Sequence, residues 1–325
     1  ALMLVGTVRF VAKGWVHELY IQPDFFFSYY GFSWIEPWPE WGMYLHFAVM
    51  GGLALCVALG VFYRASIALF FVAFTYVELI DQTNYLNHYY FVSLISFLMI
   101  ILPLHRAWSV DSWRRPSLHS DTVPAWVRYV LLGQIAVVYV FAGVAKLNPD
   151  WLLAAEPLRT WLRARSTMPL VGPLFDHAWV AYAMSWAGAA FDLTIVGWLL
   201  WHRTRPVAYA AVVAFHGMTG WLFNIGLFPW IMITATLLFF PPDWPRRWAR
   251  AFGGRKRGAR IAQPERHAAR RWPRRLGTAL LAGYFAVQLL VPLRQHLYPG
   301  WAAWTGEGFN FAWNVMLVEK TGRVE

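Results

Sequence analysis

The residue whose position most directly suggests chemistry is Lys146, which closes a long and largely apolar run of the sequence. A lysine at the end of a membrane helix commonly extends its ammonium group to the interface, and that interpretation assigns it no reaction. If the amine is instead buried, loss of hydration disfavours its charged form, and the neutral amine can accept a proton near pH 7. The residues alone leave both interpretations open.

A second group of polar side chains lies between Glu78 and Tyr90. If this stretch is helical, spacings of three and four residues place five of them on one face, where they could line a wet cavity. These five are Glu78, Asp81, Gln82, Tyr85 and His88. The alternative is a hydrophilic loop between two apolar segments, and the spacing does not choose between the two.

Asp192 lies in the middle of another apolar segment. An ionisable side chain at such a position costs about 2.5 to 3.5 kcal/mol on membrane-insertion scales, so it needs a partner or a function. We expect Asp192 to pair with a basic group of the helix bundle. The sequence does not indicate which Arg or Lys provides it.

A segment rich in glycine and aromatic residues begins at His216. The rings of Phe223, Phe228 and Trp230 could form a flat apolar slot for a ligand. A lone histidine on an apolar face is more often a hydrogen-bonded core residue than a ligand, so His216 has a structural interpretation as well.

Several kinds of site are absent from the sequence. Cys56 is the single cysteine, which excludes a disulfide within the chain and a pair of thiols for redox chemistry. No HExxH, GxSxG, P-loop or GxGxxG pattern is present, and we expect no metal. A haem held by two of the ten histidines stays possible, but no spacing singles out a pair. Redox chemistry would therefore depend on a bound small molecule.

The elements that must position these residues are membrane helices. Hydrophobic residues make up 58% of the chain and charged residues 14%, which excludes an ordinary soluble domain. A spanning helix needs ~20 mostly apolar residues, and this rule predicts an all-α polytopic bundle of about eight or nine spans. The predicted spans are Met43–Phe62, Ile67–Ile80, Tyr90–Leu104, Trp126–Ala145, Trp179–Trp201, Val207–Phe223, Leu227–Phe240 and Leu276–Leu293, with Ala1–Val16 as a further segment whose true start we expect to precede Ala1.

The net charge of +11 is concentrated in one stretch, residues 246–275, between two apolar segments. The positive-inside rule predicts that this stretch is a cytoplasmic loop. We therefore expect a transmembrane catalytic domain over residues 1–297 and the start of an extracytoplasmic segment over residues 298–325. No nucleic-acid-binding motif accompanies the basic residues, so we expect no nucleic-acid partner.

Six motifs occur in the same order as in a known enzyme family. Val140–Trp151 resembles the Ala-Gly-Val-Lys-Lys-Leu-Asp-Ala-Asp-Trp segment of vitamin K-dependent γ-glutamyl carboxylases. Phe215–Phe228 is similar to their Phe-His…Phe-Ser-Ile-Gly-Met-Phe segment, and Asp81–Tyr90 to their Asp-Lys-Thr-Ser-Trp-Asn-Asn-His-Ser-Tyr segment. The other three motifs are Trp108–Asp111, Pro242–Arg246 and Trp304–Trp313. The resemblance extends from about Tyr44 to Met316 and is greatest to the shorter bacterial members.

The resemblance implies a coupled reaction. The family's lysine base, aligned with Lys146, deprotonates reduced vitamin K, which reacts with O2 and ends as the epoxide. A strong base formed on the way removes the γ-proton of a protein glutamate, to which CO2 adds. His88 and Asn87 are expected to orient or stabilise the oxygenated species. The candidates for quinol binding are His216, Phe223, Phe228, Trp230 and Tyr139, and Asp192 and Asp81 are the aligned polar residues of the membrane region.

The sequence also departs from the family pattern. Ala145 replaces the first Lys of the Lys-Lys pair, and Phe309 replaces a tyrosine. Two alternatives stay open: a quinol epoxidase or oxygenase without carboxylase activity, and a non-enzymatic quinone- or lipid-binding membrane protein. The expected partners are the lipid bilayer, an isoprenoid quinol such as phylloquinol or menaquinol, and a glutamate-containing peptide or protein. We expect a bacterial inner membrane, or the ER membrane in a eukaryote.

Overall fold

The computed structural model describes residues 1–245 and 274–317, and every regular element within these ranges is helical. The helices of the first half are α1 (Leu2–Ala12), α2 (Trp15–Tyr20), α3 (Glu40–Leu59), α4 (Tyr63–Ile80), α5 (Asn87–Ile101), α6 (Val110–Arg114) and α7 (Ala125–Ala145). The second half has α8 (Leu158–Arg163), α9 (Ala178–Leu200), α10 (Arg205–Leu222), α11 (Phe228–Thr236), α12 (Arg274–Leu293) and α13 (Ala302–Thr305). The all-α prediction is therefore confirmed for the described residues.

Five helices in the described part of the chain are long and apolar enough to cross a membrane. They are α3, α4, α7, α9 and the helix Arg275–Leu297, and three shorter apolar helices accompany them at Leu2–Ala12, Asn87–Ile101 and Phe228–Phe239. The structure thus supports a multi-pass membrane protein, but not the predicted count of eight or nine spans. The predicted span Tyr90–Leu104 shows why, because α5 has 15 residues and a length of only about 22 Å, short of the ~30 Å hydrocarbon core.

One compact unit comprises residues 1–138 and 210–235. In it α3 packs on α4, α4 packs on α5, and α1 packs on α3. Helix α4 begins where Asp111 accepts hydrogen bonds from the backbone N–H groups of Phe62 and Tyr63, at 2.9 and 2.8 Å. Such acceptors satisfy the N–H groups that have no partner within a helix, which fixes the start of α4.

The segment between Glu78 and His88 is not one continuous helix. Helix α4 ends at Ile80, a short 3₁₀ turn follows, and α5 begins at Asn87. The Asp81 side chain is buried and accepts a hydrogen bond from the Thr83 backbone N–H at 2.9 Å, which stabilises the turn. Asp81 thereby competes with continuation of the helix, so the single helical face is wrong and the loop is correct.

The other compact unit comprises residues 139–209 and the described residues from 236 onward. Near its end the chain folds back onto the last long helix. The Arg294 guanidinium donates a hydrogen bond to the Asn310 carbonyl at 2.8 Å, and the Asn314 amide donates one to the Gln295 side chain at 2.9 Å. Most of the predicted basic loop, residues 246–273, lies outside the described residues, so its cytoplasmic placement stays a prediction.

Candidate active site

Lys146 and Asp192 form a buried ion pair. The Lys146 Nζ donates a hydrogen bond to Asp192 Oδ2 at 2.9 Å and a second one to the Ala142 carbonyl at 3.2 Å. Lys146 is 4% exposed and Asp192 is 5% exposed. The lysine therefore does not extend to the interface, and it is the basic partner that the sequence could not choose for Asp192.

The chain immediately after Lys146 is held by a local hydrogen-bond network. The Asn148 side chain donates to the Ala145 carbonyl and accepts from the Trp151 backbone N–H, both at 2.9 Å. Asn148 thus closes the end of α7 and starts the next turn, a role that asparagine side chains commonly have at such breaks. Because this turn is fixed, the Lys146 side chain has a defined direction.

Trp151 connects this turn to α9. Its indole N–H donates to the Ser185 carbonyl at 2.8 Å, and the Ser185 hydroxyl donates to the Trp151 carbonyl. Ser185 and Asp192 are two helical turns apart, so they lie on the same face of α9. The Trp151 ring also lies 5.3 Å from the Lys146 Nζ, a cation–π distance. The contact that anchors α9 therefore also holds the acceptor of Lys146 in place.

A glycine permits α7 and α9 to approach each other closely. A Cβ atom at Gly143 would lie 2.8 Å from the Leu193 side chain and 3.0 Å from its backbone nitrogen. A larger residue would therefore push the two helices apart. Lys146 directly follows α7, three residues after Gly143, and Leu193 follows Asp192 on α9. The crossing therefore lies beside the ion pair and helps to set its length.

A second polar group lies in the other compact unit, around the ring of Phe228. The Phe228 centroid lies 5.9 Å from the imidazole of His88 and 6.0 Å from that of His216. Both histidines are buried. Phe228 begins α11, His88 is the second residue of α5, and His216 lies on α10, so three helices converge on one apolar ring. This arrangement supplies a flat surface with ring nitrogens beside it.

The chain matches two protein-family models. The HTTM domain model matches residues 1–244, and the model named vitamin K-dependent gamma-carboxylase, lumenal domain, matches residues 273–325. The chain belongs to the vitamin K-dependent γ-carboxylase family. No solved structure matches it. The sequence resemblance is thereby confirmed at the level of the family.

Two further predicted site residues, Asn87 and Tyr139, lie near the two groups. Asn87 begins α5, next to His88, and its side-chain oxygen accepts a hydrogen bond from the Tyr85 hydroxyl at 3.1 Å. Tyr139 is buried on α7, packs edge-on against Phe191 at 5.9 Å, and lies within electrostatic range of Asp192. Asn87 therefore accompanies the histidine group and Tyr139 the lysine group.

The three-ring slot is only partly supported. Phe228 lies between the two histidines, and Phe223 is half-buried just after the end of α10. Trp230 is 57% exposed and makes no ring contact with a described residue. This exposure places the Trp230 ring at the edge of the bundle and does not support it as part of the slot. In the described ranges, 1–245 and 274–317, no three metal-binding side chains come together.

Glu78, which the sequence pattern also emphasised, lies near several tyrosines. It occupies the last turn of α4 and lies within electrostatic range of Tyr20, Tyr29 and Tyr89. Burial is the main cause that raises the pKa of the Tyr29 phenol, and the charges of Glu78 and Asp81 raise it further. The Tyr29 hydroxyl therefore stays protonated at neutral pH.

The sequence interpretation missed Arg9. This residue lies in the last turn of α1, is half-buried, and acts electrostatically on His88 and Tyr89. A signal was present, because Arg9 is the one charged residue among the first twelve, in an otherwise apolar segment. A half-buried cation on an apolar helix raises the same question about its partner as Asp192 does.

Proposed function

We propose that this protein is a vitamin K-dependent γ-carboxylase-like membrane enzyme. It oxidises a reduced isoprenoid naphthoquinone with O2 to the epoxide and adds CO2 to a glutamate side chain. The observation that carries the proposal is the buried Lys146–Asp192 pair. A family match on its own gives the class of protein, whereas this pair supplies a proton-accepting group in a region closed to bulk water.

A buried pair of this kind can provide a base. Desolvation penalises two separate charges strongly, which brings the neutral pair, an amine beside a carboxylic acid, closer in free energy to the ion pair. The two forms differ by one proton moved along the 2.9 Å hydrogen bond between Lys146 Nζ and Asp192 Oδ2. In the neutral form Lys146 Nζ has a lone pair and can accept the hydroxyl proton of a reduced quinone.

The residues around Phe228 fit the head group of a reduced quinone. A flat aromatic ring can stack on Phe228, and the imidazoles of His88 and His216 can hydrogen-bond to its oxygens. His88 and Asn87 would orient the reacting oxygens, since both lie at the start of α5. When bound, reduced vitamin K and O2 supply the strong base that removes the glutamate γ-proton.

The test measures epoxide formation by purified protein. Wild type, given chemically reduced vitamin K or menaquinone and O2, should form the 2,3-epoxide. Lys146→Ala should form none above background, because a general base of this kind contributes about 10²–10⁴-fold. Lys146→Arg should also fail, because guanidinium does not give up its proton usefully.

Lys13→Ala is the matched control, because Lys13 is exposed in the structure. It should keep the wild-type rate, and melting curves should show that each variant is folded. Wild-type epoxide formation by folded Lys146→Ala would remove the proposed base. A folded wild-type protein that binds quinone without forming epoxide would support a carrier instead.

A further inference from the structure

Two nitrogen-bearing side chains converge on Gly226. This glycine has a φ of +62°, in the left-handed region that favours glycine. A Cβ atom at this position would lie 3.7 Å from Arg9 Nη1 and 3.9 Å from His88 Nε2. A nitrogen of a guanidinium on α1 and a nitrogen of an imidazole on α5 therefore border the same small volume, which the missing side chain leaves open.

The Arg9 side chain has no anionic partner among the described residues. It forms no ion pair or hydrogen bond there, and its one specific contact is the Trp15 ring, 5.1 Å from the guanidinium carbon. Lys13 makes a similar contact with the same ring, at 5.4 Å, so this contact does not explain why an arginine is half-buried on an apolar helix. A cation in such surroundings is stabilised by an anion.

His88 is the second unpartnered group at this position. It is 7% exposed, and no described residue forms a hydrogen bond with its ring nitrogens. Its specific neighbours are the rings of Tyr89 and Phe228. Buried polar groups are normally hydrogen-bonded, and Nε2 is the His88 atom nearest the open position at Gly226. A ligand oxygen at that position would satisfy Arg9 and the Nε2 of His88. The Nδ1 of the same ring then serves as the acceptor for the quinol hydroxyl.

The local packing keeps this arrangement in place. Gly6 lies one turn before Arg9 on α1, and a Cβ atom there would lie 2.8 Å from the Leu227 side chain. At Gly6 the helix therefore lies directly against the Leu227 side chain, and Arg9 on the next turn lies near Gly226. Two glycines thus shape the contact, one by close approach and one by backbone conformation.

We propose that Arg9 and His88 form an oxyanion-binding subsite over Gly226, which takes the carboxylate of an acidic peptide side chain. The guanidinium offers a planar pair of N–H donors that matches the two oxygens of a carboxylate. The proposal rests on the proposed function, because a glutamate side chain is the expected acceptor of CO2. The proposal adds Arg9 as the residue that distinguishes a glutamate side chain from a neutral glutamine.

The test measures binding rather than turnover, by titrating purified protein with two blocked peptides that differ only in Glu or Gln at one position. Wild type should bind the Glu peptide more tightly. Arg9→Gln should bind the Glu peptide about tenfold or more weakly and so lose that preference, since hydrogen bonds to charged groups contribute this much to affinity. Arg9→Lys should restore part of it, and Lys13→Gln, which neutralises the neighbouring cation, should retain it fully.

Binding is read without quinone, O2 or CO2, so failure of the proposed catalysis and failure of this subsite are separate results. A folded Arg9→Gln protein that still prefers the Glu peptide would overturn the proposal, as would a wild type without preference. Inorganic phosphate tests the alternative source of an oxyanion. The assignment to a carboxylate would be overturned if phosphate binding depended on Arg9 while binding of the Glu peptide did not.

Discussion

The buried pair of Lys146 and Asp192 is the most informative feature at the scale of single residues. Removing one partner of a buried pair leaves an uncompensated polar group and costs about 3–5 kcal/mol, whereas replacing both by apolar residues is often neutral. The pair is therefore a poor device for stability alone. Under the proposed function, the pair has a chemical role instead.

We predict that stability and activity separate in a double-mutant cycle at this pair. Lys146→Met and Asp192→Leu should each lower the free energy of unfolding by about 3–5 kcal/mol. The double variant should recover most of that loss and form no epoxide. Thermal melting and epoxide assays on the four proteins check this. An active double variant would show that the pair has only a structural role.

Individual polar residues could be predicted from the sequence, but their pairing could not. Lys146 and Asp192 were each recognisable as ionisable groups in apolar segments, yet 46 residues separate them and several Arg and Lys residues were available. The segment around Arg9 indicates an apolar helix, and no pattern in it links this arginine to other residues. Its importance arises from Gly226 and His88, which are distant in sequence.

At the scale of elements, the crossing of α7 and α9 determines the geometry of the lysine group. Gly143 brings the helix backbones together, and the reciprocal bonds of Trp151 and Ser185 fix the turn that follows α7. Both contacts lie within about two turns of the ion pair. The distance between Lys146 and Asp192 is therefore a property of this crossing as much as of the two side chains.

Gly143→Ala tests this dependence. The added Cβ atom would lie 2.8 Å from Leu193, so the helices must separate, and overpacking of this kind typically costs about 1–3 kcal/mol. We expect a lower melting temperature and a lower epoxide rate. Gly197→Ala on α9 is the matched control, because its Cβ atom would meet nothing within 4 Å. Equal behaviour of the two variants would contradict this account of the crossing.

The sequence predicted helices better than their interruptions. The predicted span Trp126–Ala145 corresponds closely to α7, because a long apolar run leaves no other structure in a membrane. The polar residues after Glu78 have the spacing of a helix, but the segment forms a turn, because the Asp81 carboxylate accepts a hydrogen bond from the Thr83 N–H. Residue periodicity does not reveal such a local hydrogen bond.

At the scale of the whole molecule, the exposed surface fits a membrane environment. Aromatic side chains at the ends of spans are typical of the interface between lipid and water. Trp38 and Trp41, which flank the start of α3, are 51% and 71% exposed, and Trp201, just after α9, is 55% exposed. Their positions at the ends of long apolar helices suit a bilayer boundary.

Composition was sufficient to predict the class of the molecule but not its number of spans. The described residues contain five long apolar helices and three shorter ones, and the shorter ones had been counted as spans. Hydropathy identifies an apolar segment, while its helical length depends on caps and turns such as the one at Asp81. The family could be recognised from ordered motifs because these contain chemically distinctive residues.

The central claim is that Lys146-dependent oxidation of a quinol drives CO2 addition to glutamate, and labelled CO2 tests it most directly. Purified protein in lipid nanodiscs would receive reduced vitamin K, O2, labelled CO2 and a blocked Glu peptide. We predict label in the peptide as γ-carboxyglutamate with epoxide formed alongside, and neither product from Lys146→Ala. Epoxide without label would indicate an epoxidase. Label that persists in Lys146→Ala, or neither product from folded, quinone-binding wild type, would contradict the account.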